Sequence, residues 1–388
     1  MSFFPIIEVY RKAYENSSGF TRGWDDSTVY LYGIIILIVI IIGNLIESRR
    51  YRGHMPVRST KSLFYFVCLV LALLLGLRGA SVGTDTQTYR YSFENALHYN
   101  AFRGETTEPG YQLILKVLRF FLPNADCAIL LFSTVTVLMV FIALWKYRDS
   151  INLYIALSFY IGLFFFQAMN LLRIYLAASF LLLNFHLLQE EQYKKYSIII
   201  LIASTFHFSS LVLFFPLLFL RLYKKSRVAA LAVFIASVLV ITPFAAKFGD
   251  YIAIARYAEY AYGNDEAGKL GMMLFFEFIP SMYFIYYIYK RKLRGQWADL
   301  FVSFSMVGFV IKIISYHITI AGRLGIQFMP LYLLLVPYFV NDVKTNNRKK
   351  YPLIVFGLTI YMLVRLHIYF MQYLSKDGIM PYYTIFGE

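Results

Sequence analysis

Apolar residues in this chain run in long unbroken stretches separated by short polar segments, rather than alternating or recurring on one face. The first stretch, 28–46, is long enough to cross a hydrocarbon core of about 30 Å and has no small-residue cleavage site behind it. It reads as a retained span. The segment after it carries Arg49, Arg50, Arg52, Arg58 and Lys61, which places 47–62 in the cytoplasm and the N-terminus outside. A second span, 63–77, returns to the outer face. Residues 78–126 then form the largest outer loop, in which 111–122 is apolar but too short to cross and is expected to lie along the interface. Further spans are predicted at 127–144, 151–169 and 174–188, with inner loops marked by Lys146, Arg148, Lys194 and Lys195.

The stretch 197–220 does not fit this alternation. Arg221, Lys224, Lys225 and Arg227 follow it directly, and a single crossing would export them. The same crossing would invert every later loop, including Lys290, Arg291, Lys292 and Arg294, and then Lys344, Arg348, Lys349 and Lys350. The expectation is therefore a re-entrant helical hairpin, or two very short spans, turning near 205–210. Non-helical backbone at that depth must be buried in protein or line a wet cavity. Spans at 228–246, 270–289, 297–316, 324–340 and 351–370 complete the map, with a second outer segment at 247–269 and the C-terminus outside. The prediction is an all-α polytopic membrane protein of about ten full transmembrane helices plus the hairpin, one integral membrane domain over 1–388 with outer loops 78–126 and 247–269.

Composition agrees. Of 388 residues, 59% are hydrophobic and 15% charged, against roughly 45–50% and 25% in a soluble domain. This excludes a soluble globular fold and a disordered chain, and two cysteines are too few for a disulfide-stapled scaffold. Cys68 and Cys127 read as small buried hydrophobes. The formal charge of +15 would suggest nucleic acid in a soluble protein; here it serves topology, and no nucleic-acid partner is expected.

Charge at the outer ends of spans carries the candidate chemistry. Arg78, Arg173 and Arg323 sit at outer ends, and Arg365 lies most of the way out along the last span. A charge near bilayer depth costs about 2.5–3.5 kcal/mol if unpaired. Pairing with Asp85, Glu108, Glu277 or lipid headgroups would answer it. Convergence of several guanidiniums on a phosphate or pyrophosphate would answer it as well, since each can bond two oxygens at once. Asp85 follows Gly79 and Gly83 and could accept a proton from a hydroxyl, or it could cap a helix beginning at Thr86. His207 falls at the hairpin turn, with a structural role holding the turn as the alternative. Glu277 and Lys312, in adjacent spans, suggest a buried ion pair. No GxxxxGK[ST], GxGxxG, Asp-x-Asp or zinc-spaced His/Cys cluster is present, so no nucleotide, cofactor or metal is expected, and any activated donor would already reside in the membrane.

Several motifs in order resemble the EpsG-like family of Wzy-type polysaccharide polymerases. They are Leu77 and Arg78 with Val82, Gly83, Thr84, Asp85 and Tyr89; Glu108, Pro109, Gly110 and Tyr111; Asn170, Leu171, Leu172 and Arg173; residues 203–211 around His207; Ala321, Gly322 and Arg323; and Pro381, Tyr382 and Tyr383. The likeness runs from about residue 63 to the end; the polar segment 1–27 lies outside it. It implies a GT-C-like glycosyltransferase of the bacterial inner membrane that joins oligosaccharide repeat units carried on undecaprenyl pyrophosphate, at the periplasmic face, into O-antigen or related surface polysaccharide. Donor and acceptor would both be lipid-linked glycans, with membrane lipids and a chain-length regulator protein as further partners.

The expected reaction is an inverting, metal-independent displacement in which the terminal hydroxyl of one unit attacks the anomeric carbon of the growing glycan. Arg78, Arg173 and Arg323 would bind the departing pyrophosphate. Asp85 or His207 would take the proton, with Asp85 preferred as nearer the surface where sugars arrive. Glu108, Tyr111, Glu277 and Arg365 are further candidate substrate contacts. An O-antigen ligase would share this donor site, and a transporter of lipid-linked sugars is the alternative of a different class. A transporter should show paired broken helices in two related halves, whereas this pattern breaks one.

Overall fold

The computed structural model of the chain describes residues 5–16, 23–52, 57–98, 108–253, 272–317 and 319–387. The architecture is all-helical, 81% helix with no strand among the described residues. Seven helices there are long and apolar enough to cross a membrane: Asp26–Arg49, Ser59–Gly76, Ala125–Lys146, Leu172–Gln189, Gln296–Ser315, Gly322–Asn346 and Tyr351–Tyr373. Each coincides with a stretch predicted from the apolar runs, and the chain is a polytopic membrane protein.

Three other predicted spans are helical as well. Leu153–Ala168 is a short apolar helix at the centre of the fold, with its middle turn, Tyr160–Phe165, widened to a π-helix. It is packed on all sides, and Leu153, Ile155, Ala156, Leu157, Phe159 and Ile161 have no exposed surface. The helix Arg227–Ala253 covers the predicted span 228–246, with the apolar segment Arg227–Ile241 at its start. The predicted span at 270–289 is broken at Phe278 into Met272–Glu277 and Ile279–Arg291. Of the outer segment 247–269, residues 254–269 lie outside the described residues, as do 99–107 of the first outer loop.

The stretch 197–220 is a hairpin. A 12-residue helix, Tyr193–Ser204, ends before His207; a 3-10 turn, Phe208–Leu213, reverses the chain; and a second 12-residue helix, Phe214–Lys225, returns. Lys224 Nζ then lies 2.8 Å from Glu191 Oε1 and 3.0 Å from the Tyr193 hydroxyl, so the two ends of the segment meet. Twelve helical residues rise about 18 Å, too little to cross. The cations at 221–227 therefore stay on the side of Lys194 and Lys195.

At the opposite end, an amphipathic helix, Pro109–Phe121, turns Tyr111, Gln112 and Leu115 into the protein and leaves Leu113, Val117, Phe120 and Phe121 exposed, as an interfacial helix should. The segment after the last helix crosses this end and is tied to the loop that follows Ser59–Gly76. Gly79 N donates to the Tyr383 carbonyl, Ile385 N to that of Leu77, Gly83 N to that of Gly378 and Thr84 N to that of Asp377, at 2.8–3.0 Å.

Candidate functional site

The site is built on that loop and tail. Gly83 has φ +89°, and a Cβ there would sit 2.5 Å from the Met169 carbonyl oxygen, so only glycine lets the loop lie so close. The approach brings the Thr84 hydroxyl and the Asp85 N–H to 3.0 and 2.9 Å from Asn170 Oδ1. The Asn170 amide in turn donates to Asp377 Oδ1 at 3.2 Å, and the Tyr369 hydroxyl donates to Asp377 Oδ2 at 2.7 Å. One asparagine thus joins the loop, the tail and the start of the helix Leu172–Leu183.

Asp85 precedes the helix Thr86–Glu94, yet its side chain makes no capping hydrogen bond. Capping, the structural alternative, therefore does not account for it. Burial raises its carboxyl above the usual range, against the pull of Arg323, Arg173 and a hydrogen bond from Tyr89. Burial likewise pushes Asp377 up to about 6, against its bonds from Tyr369 and Asn170; neighbouring Asp85 adds to the rise and Arg323 opposes it.

Arg173 is held beside this group. Its Nη1 donates to Glu108 Oε2 at 2.8 Å, and its guanidinium carbon lies 5.2 and 5.8 Å from the ring centres of Tyr111 and Tyr89. Guanidiniums in such aromatic settings are gripped without losing all five donors. Glu108 links Arg173 to the hairpin turn: Oε1 accepts from the Phe208 N–H at 3.4 Å and stands 4.0 Å from His207 Nε2. The join depends on Gly110, because Gly110 N and Tyr111 N both donate to the Thr205 carbonyl, at 2.9 and 3.1 Å.

His207 Nδ1 accepts from the Ser209 N–H at 3.2 Å and lies 2.8 Å from the Ser209 hydroxyl, which accepts from the Gln327 amide at 2.8 Å. With the Nδ1 lone pair engaged, the ring hydrogen sits on Nε2, facing Glu108. This imidazole braces the turn, and the nitrogen that meets Glu108 carries a proton rather than a free lone pair. Arg323, in the 3-10 segment Thr319–Phe328, is close enough to act on the charges of Asp85, His207 and Asp377.

Two of the four expected arginines do not join this group. Arg78 is enclosed, at 1% exposure, and its Nη1 donates to the Leu75 carbonyl and to the Ser133 hydroxyl. Its backbone bridges to Thr384, so it anchors loop to tail and offers no face to a ligand. Replacing Arg78 by alanine would leave the Ser133 hydroxyl without this donor and open a void. The expected loss is about 2–5 kcal/mol, seen as a lower melting temperature and less folded protein in the membrane. Arg365 belongs to a second cluster. Its Nη1 is 3.2 Å from Glu277 Oε1, while Lys312 Nζ is 2.8 Å from Glu277 Oε2. The expected Glu277–Lys312 pair is thus present, as part of a triad. The Tyr361 and Tyr332 hydroxyls donate to the Glu277 carbonyl, at 2.8 and 3.3 Å, where the helix is interrupted.

Asn170, Asp377, Tyr369, Ser209 and Gln327 carry no role that sequence alone assigns. The signal available was a polar Asn170 three positions before an outer arginine and a carboxylate on the outer tail. Among the described residues, no group of three His, Cys, Asp or Glu is placed to hold a metal. A surface cavity of about 330 Å³ lined by Ala80, Ser81, Gln87, Tyr383 and Gly387 lies at the same end but includes none of the charged groups above.

No curated protein and no solved structure matches the chain significantly. The EpsG family, by contrast, matches residues 61–384, which takes in every element of the site described here. The chain belongs to the EpsG family, and is a polysaccharide-polymerase-like membrane protein.

Proposed function

We propose that the protein polymerises oligosaccharide repeat units carried on undecaprenyl pyrophosphate, at the periplasmic face of the bacterial inner membrane, by inverting glycosyl transfer that needs no metal. The observation that supports this reading is that Arg173 and Arg323 both act on the charge of Asp85, at one end of a membrane protein of this family. In the proposed reaction, the two arginines stabilise the charge that builds on the diphosphate as it leaves. Glu108 occupies one donor of Arg173 and aims the guanidinium before the lipid arrives. Asp85 takes the proton of the acceptor hydroxyl, in preference to His207, whose Nδ1 is held by Ser209. Tyr111 presents an aromatic face beside Arg173. Glu277 and Arg365 stand in their own triad and are assigned to contacts farther along the bound lipid-linked glycan.

The same reading takes the whole chain as one GT-C-like membrane domain with about ten crossings and the hairpin, both termini periplasmic. Its partners are lipid-linked glycans as donor and acceptor, the surrounding lipids and a chain-length regulator protein. Purified protein in a defined bilayer, given synthetic lipid-linked repeat units without nucleotide or metal, should yield a ladder of lipid-linked oligomers. A single chain moved to a different acceptor would mark a ligase, uptake without bond formation a transporter, and either result would overturn the proposal.

A further inference from the structure

We propose that Asp377, on the C-terminal tail, is a second proton-accepting group of the site, acting with Asp85 as a carboxylate pair held in place by Asn170. This rests on the glycosyl-transfer reading above and extends it to a segment in which the sequence showed no chemistry.

The geometry supports a built group. Both oxygens of Asp377 are aimed, Oδ1 by the Asn170 amide at 3.2 Å and Oδ2 by the Tyr369 hydroxyl at 2.7 Å. The Asp377 and Gly378 carbonyls, which accept from Thr84 N and Gly83 N, fasten the tail as well, so its anchoring does not rest on the carboxylate alone. Asn170 contacts both members of the pair, receiving the Asp85 N–H on Oδ1 and donating to Asp377 from its amide nitrogen.

The charged and titratable groups facing Asp377 are Asp85 from the loop, Arg323 from the 3-10 segment, Tyr175 from the helix Leu172–Leu183, and Tyr369 and Tyr373 from the last helix. A carboxylate near another carboxylate binds a proton more readily than one alone, and Asp85 acts on Asp377 in this sense. With Asp377 held up to about 6, its base form prevails at neutral pH and its proton affinity is close to that of the medium, where proton transfer is most effective.

In the proposed step, the acceptor hydroxyl oxygen forms its bond to the anomeric carbon as the bond from that carbon to the diphosphate oxygen breaks. The bonding electron pair departs with the diphosphate. The hydroxyl proton passes to the carboxylate pair and from there to water, so no other reactant is consumed.

The test is the initial rate of oligomer formation against pH, for the full chain in a defined bilayer with synthetic lipid-linked repeat units. Wild type should lose activity as pH falls through about 6, because the base form is titrated away. Asp377→Asn, which can still accept from Asn170, should reduce kcat by about 100-fold with KM little changed, and Asp377→Glu should recover part of it. Tyr369→Phe removes a donor to the carboxylate, favours its protonated form, and should move the acid limb to higher pH. Asp377→Asn that keeps more than half the rate would overturn the proposal. So would a loss of folded protein in Asp377→Asn combined with an unmoved acid limb in Tyr369→Phe, which would assign the residue to structure. Wild type that forms no oligomers would instead overturn the glycosyl-transfer reading, and this inference with it.

Discussion

Replacement of Arg173 by alanine is expected to abolish chain growth while leaving the protein in the membrane. Arg173 is set against Tyr111 and Tyr89 and bonded to Glu108, so its guanidinium is oriented before any ligand arrives. Removing one preorganised donor of this kind reduces turnover by about 100- to 1,000-fold, and a guanidinium that also carries the leaving group's charge belongs at the upper end. The substitution strands Glu108, at 7% exposure, beside the hairpin turn. That adds a stability loss of between about 1 and 3 kcal/mol, bounded by exposed and buried ion pairs. The double variant Arg173→Ala, Glu108→Gln separates the effects, because it removes the stranded charge and should restore most of the melting temperature without restoring polymer. Arg173→Lys keeps the charge but not the planar fork, and should make short products slowly. Polymer length unchanged in Arg173→Ala would take the residue out of the site.

The parts of this architecture legible in the sequence are those governed by one-dimensional quantities. Span positions follow from apolar length. The hairpin followed from charge, because four cations directly after 197–220 could not be exported without inverting every later loop, and the contact of Lys224 with Glu191 bears this out. The length rule reached its limit at Leu153–Ala168. A helix enclosed by other helices need not match the bilayer, so its apolar run reflects burial as well as membrane depth.

Site residues divided along a similar line. A charge at the end of a span announces that it needs a partner, but the partner is fixed by tertiary packing. Arg78 and Arg173 look alike in sequence. Ser133, 55 positions away, and the returning tail enclose Arg78, whereas Glu108 and two tyrosine rings hold Arg173 at the surface of the group. Asp377 is silent in the sequence for the same reason. Its meaning comes from Asn170, 207 positions earlier, and from a tail whose course over this end of the helices no local pattern encodes.

The second large effect is expected at Gly110, which no catalytic argument would single out. A Cβ at this position would lie 2.1 Å from the Thr205 hydroxyl oxygen, 2.7 Å from its Cβ and 2.9 Å from its carbonyl oxygen. Alanine therefore cannot be accommodated by a side-chain rotation alone. The backbone bonds from Gly110 and Tyr111 to the Thr205 carbonyl would open, and the helix Pro109–Phe121 would lift from the hairpin turn. Glu108 immediately precedes that helix, so the lift draws it from Arg173 and from the Phe208 N–H together. Overpacking of this kind costs about 1–3 kcal/mol, which a protein of this size survives, so Gly110→Ala should fold with a lowered melting temperature. Its activity should fall by about 100-fold, since displacement of about 1 Å in a positioning group has that effect. Thr205→Gly in the same chain removes the hydroxyl and Cβ contacts but not the carbonyl one, and should recover part of both losses. Full activity in Gly110→Ala would show that the docking of this helix on the hairpin does not set the position of Arg173.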